Sequence, residues 1–238
     1  MTLTESIEAF VDFFGTQASL VSSLQGDPTI LGGASDPQVR VAIHKKVLYC
    51  AILDSLARVR YYGQSLGNRD RFVGFIRDHG GWSDGELISV PILTGRLSSK
   101  TPSVLQQHLV KRLAAHDPNA GNGLPLTVVD EPRGPLEQLA ADETERKSIL
   151  QTQHYELFYK YRNFLVHEFR EPGYGSELFA EITPVYHAHL NDPTWRLVYP
   201  EGFFKKLVDT ALHSLKSYFV CNGIDPFTRI TDSSKWSL

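Results

Sequence analysis

Apolar side chains recur at helical spacing over most of this chain, and the spacing changes only near its C-terminal third. Leu3, Ile7, Phe10, Val11, Phe14, Ala18 and Val21 trace one face of a first helix, opened by a capping box of Thr2 with Glu5. A Gly- and Pro-rich stretch over 26–37 reads as a loop, and Asp36-Pro37 supplies a cap and a first-turn proline for a second helix running to about Tyr62. That helix is apolar nearly all round, from Val39 to Val59, which predicts a central position, with Asp54 interrupting its apolar centre. Asn68 is expected to cap a shorter helix ending at Gly80-Gly81. Ser83 with Glu86, and Thr101-Pro102, mark two further helix starts.

Residues 117–135 are dense in Gly, Asn and Pro and read as a long loop. Helical spacing resumes at Leu136 or Asp142 and runs to Arg170 before Pro172-Gly173. Unbroken from Asp142, that helix would be roughly 40 Å long at the α-helical rise. After Gly175 the period shortens to two. Leu178–Thr183, Val185–Leu190 and Thr194–Tyr199 read as short strands, the last two joined by a turn at Asn191-Asp192-Pro193. A final helix over Glu201–Cys221 is stopped by Asn222-Gly223, and 224–238 reads as a loosely held tail. The expected fold class is mainly α, a helical bundle with a small antiparallel β insert near 178–199.

Composition narrows the function classes. A length of 238 residues suits one large domain with insertions, and a net charge of −3 excludes a protein that binds nucleic acid over its whole surface. A local basic patch stays compatible. No apolar run reaches membrane-spanning length, and the first residues lack the basic region and cleavage site of a signal peptide, so a cytoplasmic location is expected. Cys50 and Cys221 share no metal-like spacing and are expected as buried thiols. No Walker loop, Gly-x-Ser-x-Gly elbow or His-Glu-x-x-His occurs.

The stretch Tyr159–Arg170 carries the most chemistry. On a helical wheel, Leu157, Phe158, Tyr161, Phe164, Leu165 and Phe169 share the core half, while Glu156, Tyr159, Lys160, Arg162, Asn163, His167 and Arg170 share a polar arc. Arg162 and His167 stand about 140° apart on that wheel, with Asn163 between them and one turn from His167. An imidazole on this arc could move the proton of an RNA 2′-hydroxyl or of the leaving oxygen. Arg162 could grip the phosphate by two parallel hydrogen bonds, Asn163 could orient His167, and Tyr159, Lys160 and Arg170 could contact RNA. One histidine cannot readily act as base and acid, so two arcs meeting in a homodimer would complete the site. With fourteen arginines and nine histidines in the chain, the bare Arg-to-His spacing arises about once or twice by chance, so its context carries the weight.

The stretch Arg162-Asn163-Phe164-Leu165-Val166-His167 resembles the Arg-x4–6-His signature of HEPN domains, including the polar residue after the arginine. The resemblance implies a bundle of four to five helices with the motif late in it. It covers the first long helices and 142–170, leaving 68–135 and the β hairpin 178–199 as insertions in a single domain over 1–223. It further implies a metal-independent endoribonuclease of a toxin–antitoxin or phage-defence setting, with Arg162 and His167 catalytic, no cofactor, RNA as substrate, a shared dimer cleft and a cognate antitoxin protein as partner. Other members are catalytically inactive modules that dimerise or bind a protein or nucleotide, and this second reading stays open. Asp54 is the candidate for the family's earlier acidic residue, as a partner of Arg162.

Bland assignments cover the remaining features. Asp54 also reads as a salt-bridged structural carboxylate, and the Arg162–His167 arc as a solvated face with a capping histidine. His187 and His189 alternate on one strand face without a third ligand at fixed spacing. Arg69, Arg71 and Arg77 around Phe72 and Phe75 read as the outer face of an amphipathic helix, and Trp82 and Trp195 as packing residues.

Overall fold

The computed structural model describes residues 1–26, 37–97, 101–117, 123–172, 181–189 and 192–230, with the side chains of 37–40, 188–189 and 192–193 outside the description. The chain is mainly helical with a small three-stranded antiparallel sheet. It divides into two compact units, Met1–Trp82 with Phe204–Leu238, and Ser83–Phe203.

The first unit holds α1 (Leu3–Ser23), α2 (Pro37–Arg60), α3 (Asn68–His79) and most of α10 (Glu201–Asn222). Thr2 and Glu5 form the capping box of α1, whose Ile7, Phe10, Phe14, Ala18 and Val21 are buried. The central character of α2 is evident in its buried Tyr49, Cys50, Leu53 and Leu56, and the Ser22 and Tyr49 hydroxyls join α1 to α2 at 2.8 Å. The cap of α3 is Gly67, one residue before the expected Asn68, whose side chain accepts from Arg71 instead. Arg71 and Arg77 lie on the outer face around buried Phe72 and Phe75, and Arg69 pairs with Asp70 at 2.7 Å, as expected of a solvated helix face. Gly223, at φ 61°, ends α10 in the left-handed conformation.

Two expectations fail in this unit. Cys221 is exposed because its position on the last turn of α10 faces away from the core, whereas Cys50 is buried. Residues 225–230, expected as loose tail, are packed: Asp225 accepts from Ser6, Phe227 meets Phe10 edge-on, and Arg229 donates to the carbonyls of Val59 and Arg60. Residues 231–238 lie outside the described residues.

Arg60 organises the polar side of this unit. Its guanidinium lies 4.7 Å from the Tyr61 ring and 3.9 Å from the Tyr218 ring, and Nε donates to His79 Nε2 at 2.9 Å. With Nε2 accepting, Nδ1–H must donate to Ser214 Oγ, 2.8 Å away. Burial first, and then the neighbouring guanidinium, hold the His79 pKa below its ordinary value. The Tyr61 hydroxyl donates to Asp78 at 2.7 Å, and burial with that carboxylate pushes its pKa up.

The second unit holds α4 (Val90–Arg96), α5 (Val104–Ala114), α6 (Leu126–Val129), α7 (Arg133–Leu139), α8 (Glu143–Gln151) and α9 (His154–Asn163), with β1 (Leu124–Pro125), β2 (Val185–His189) and β3 (Asp192–Val198). Val90, Leu93, Leu105, Leu109, Leu136 and Ile149 bring α4, α5, α7 and α8 around one apolar cluster. In the sheet β2 is central, pairing Tyr186 with Leu124 on one side and with Leu197 on the other.

The structure corrects several boundaries here. The stretch 117–135 is not all loop: Leu126 and Val129 are buried on a single helical turn and Leu124-Pro125 adds a strand. The punctuating glycines and prolines masked these short elements. Ser83–Glu86 is one 3-10 turn rather than a helix start, because the Glu86 carboxylate turns to accept from Gln153 Nε2 at 2.7 Å. The start near Thr101 moves to Ser103, which forms a capping box with Gln106. Of the first expected strand, 181–183 is not extended into a ladder and 178–180 lies outside the described residues, as do Asn191 of the expected turn and Asp36 of the expected α2 cap. Asp192 and Pro193 already belong to β3.

The helix expected to run unbroken from Asp142 breaks at Thr152-Gln153. There the backbone turns extended and pairs with an upstream segment: Ser89 N–H donates to Thr152 O at 2.9 Å and His154 N–H to Leu87 O at 3.0 Å. Neither Gly nor Pro marks the break. It is caused by long-range main-chain pairing, which periodicity does not register.

Two measurements test these assignments. A Cβ at Gly85 would lie 2.4 Å from the Tyr155 ring, whereas one at exposed helical Gly134 meets nothing within 4 Å. Gly85→Ala should therefore cost about 1–3 kcal/mol in denaturant unfolding, while Gly134→Ala should leave stability unchanged or raise it by up to about 1 kcal/mol. Equal effects would contradict the close packing at Gly85. His79, with its depressed pKa, stays neutral in the fold while the unfolded chain begins to take up a proton below about pH 6.5. Its stabilising contribution is thus complete above that pH and declines as pH falls towards the folded-state pKa. His79→Gln should flatten the fall in urea midpoint between about pH 7.5 and 5.5; an unchanged slope would exclude this source.

Candidate functional site

The helix α9 carries the arc, and its placement begins at a buried polar network. Asp130, the C-cap of α6, and His154, the first residue of α9, meet at 2.6 Å through Oδ2 and Nε2 with both side chains fully buried. Val90 N–H donates to Asp130 Oδ1 at 2.9 Å, adding the start of α4. The Tyr186 hydroxyl on β2 lies 2.9 and 3.0 Å from the two Asp130 oxygens and 2.7 Å from Ser89 Oγ. A carboxylate only accepts, so the Tyr186 proton points at Asp130 and the Ser89 hydroxyl closes the chain. Burial, reinforced by the Asp130 charge, holds the Tyr186 pKa well above its ordinary value. Ser89, His154 and Asp130 have the residue types of a hydrolytic triad, but all are sealed from solvent and Ser89 also caps α4 through Ile92 N. The network is a structural joint.

From that joint α9 buries Leu157, Phe158 and Tyr161, with Leu165 following, and presents Glu156, Tyr159, Lys160, Arg162 and Asn163 half-buried on the other side. Arg162 Nη1 donates to Asn163 Oδ1 at 3.0 Å, and the guanidinium lies 6.0 Å from the Tyr159 ring. After Asn163 the helix widens into a π-turn over Phe164–Glu168 and ends at Phe169 in the left-handed conformation, at φ 54°. That turn is closed by Phe169 N–H donating to Phe164 O, five residues back. His167 lies inside this π-turn, whereas Arg162 and Asn163 are the last two residues of the α-helix before it. His167 is exposed. Phe169, assigned to the core half, is exposed as well, because the π-turn and its left-handed end rotate it outward.

The other expected contact residues have partners of their own. Lys160 Nζ donates to Gln151 O at 2.8 Å. Arg170 pairs with Glu168 at 2.6 Å and covers the Phe164 ring at 4.6 Å. Asp54 is half-buried on α2 of the first unit, whereas Arg162 belongs to the second. His187 is half-buried on β2, and the His189 side chain lies outside the described residues. Trp82 is buried, as expected of a packing residue; Trp195 is half-buried and meets Tyr186 edge-on at 5.9 Å.

Beside the arc lies a cavity of about 460 Å³, between α9, the residues after the π-turn and β3. Sequence reading missed it. Trp195 reads from the sequence as a packing residue, and only the fold brings it to one cavity with Tyr161 and Phe164.

Breaking the joint should be costly. Asp130→Ala leaves a buried histidine, phenol and amide without their acceptor and should lose about 3–5 kcal/mol; Tyr186→Phe removes one hydrogen bond to a charged group and should lose about 1.5–3 kcal/mol. Chemical denaturation checks both, and near-neutral changes would remove the network from its structural role.

Among the described residues no helix is long and apolar enough to cross a membrane. Comparison of the chain with protein-family models, curated proteins and solved structures found no match in any of the three.

Proposed function

We propose that the chain is a HEPN-type endoribonuclease that cleaves RNA by 2′-hydroxyl transesterification, in a toxin–antitoxin or phage-defence setting. The observation that supports this reading is the π-turn that follows Arg162-Asn163 and contains His167. Such turns are rare and cluster at functional sites. This one begins directly after Arg162-Asn163, and the His167 within it is exposed.

The roles follow from the chemistry of each group. An imidazole removes the proton of the 2′-hydroxyl as that oxygen attacks the adjacent phosphorus. The bond to the 5′-oxygen breaks, and that oxygen takes a proton, giving a 2′,3′-cyclic phosphate and a 5′-hydroxyl. Arg162, steadied by Asn163, neutralises charge growing on the phosphate oxygens. A single arc holds one imidazole for two proton transfers, so the reading includes a homodimer in which the second copy supplies the other.

His167→Ala should lower RNA cleavage about 10²–10⁴-fold. Arg162→Lys should also fail, since an ammonium keeps the charge but not the two-pronged contact. EDTA should leave the wild-type rate unchanged, because the nucleophile is the RNA itself. Both variants should melt like wild type. Equal cleavage by wild type and His167→Ala, or no cleavage by either, favours the non-catalytic HEPN-like module instead.

A further inference from the structure

We propose that Phe169 is a stacking platform for an unpaired RNA base next to the scissile phosphate, an inference that rests on the RNA reading of the Arg162–His167 arc. Phe169 is the one non-glycine residue with positive φ among the described residues, at φ 54° and ψ 37°. A bulky side chain is a poor occupant of that left-handed region, which a helix end ordinarily gives to glycine or asparagine. Its ring is also 51% exposed. An exposed phenylalanine is ordinary alone, and so is a left-handed helix end. Together they keep a strained, solvated aromatic where glycine would relieve the backbone, and such strain gathers at functional sites.

The backbone fixes Phe169 beside the imidazole. Its N–H closes the π-turn on Phe164 O, and Arg170 N–H reaches the same carbonyl at 3.4 Å. Two residues of chain span at most about 7 Å, so the Cα atoms of Phe169 and His167 stay at least that close. Residues 166–170 are all exposed. Glu168, whose charge would repel phosphate, is paired with Arg170 at 2.6 Å. Every nucleobase has a π-face that can lie on an aromatic ring, and a base already stacked inside a duplex is out of reach. Stacking on Phe169 would hold the neighbouring ribose in place, with its 2′-hydroxyl at the arc.

The test is steady-state cleavage by the full chain of RNA oligonucleotides, and of the same strands made abasic at either nucleotide flanking the cut. Phe169→Gly should raise KM about 5- to 100-fold, the range of one lost base stack, with kcat little changed. Its urea midpoint should equal or exceed that of wild type, because glycine adopts this backbone without strain. Phe169→Tyr and Phe169→Trp should keep the wild-type KM, whereas Phe169→Leu, apolar but without a π-face, should not. One abasic position should weaken wild type as Phe169→Gly does, and should cost that variant nothing more. Wild-type cleavage with an unchanged KM in Phe169→Gly, a normal KM in Phe169→Leu, or additive losses at both abasic positions overturn this proposal alone. A lowered urea midpoint with kcat falling instead of KM makes Phe169 a structural residue and overturns it too. No RNA cleavage by wild type overturns the RNA reading, and this proposal with it.

Discussion

A buried carboxylate has to find its donors inside the protein, and Asp130 finds them on three different segments. Val90 N–H, the His154 imidazole and the Tyr186 hydroxyl each come from a separate element, and all surround one fully buried side chain. Leaving out any donor strands a charge whose burial costs several kcal/mol. Apolar collapse of Leu93, Leu105 and Ile149 stabilises the second unit but tolerates small slips between helices. The carboxylate does not. It sets where α4 begins, where α9 begins and which face of β2 turns inward.

Everything proposed about function lies downstream of that joint. With His154 fixed, α9 has one rotation about its axis that buries Leu157, Phe158 and Tyr161, and the opposite side then carries half-buried Arg162 and Asn163. With Tyr186 fixed, the register of β2 against β3 sets Leu197 opposite it, on the strand that borders the cavity. The arc and the cavity are adjacent faces of one helix. The π-turn then separates them, turning Phe164 towards the cavity and leaving His167 in solvent.

Features that depend on local periodicity were legible from residues alone. The helices α1, α2 and α10, the Thr2–Glu5 capping box, the Gly223 stop and the antiparallel insert all announce themselves through spacing, caps and turn residues. Features created by distant pairing were not. The break at Thr152-Gln153 arises because Leu87–Ser89 competes for its backbone, and nothing within 142–170 signals that competitor. Asp130 was hidden in a stretch whose glycines and prolines read as loop. The wheel for 156–170 assumed a uniform 100° step, so it placed Leu165 correctly in the core but misplaced Phe169, which follows the π-turn. Arg162, Asn163 and His167 stood out by type and spacing, whereas the cavity beside α9 is walled by residues far apart in sequence.

The proposed chemistry requires that the attacking oxygen belong to the RNA. The most direct measurement is single-turnover cleavage of an RNA oligonucleotide beside the same strand carrying one 2′-deoxynucleotide at the cut position. Transesterification on the Arg162–His167 arc predicts that cleavage at that position disappears and that the all-ribose strand ends in a 2′,3′-cyclic phosphate. Cleavage of the deoxy-substituted strand at an undiminished rate would mean that the nucleophile comes from elsewhere, contradicting the role given to His167.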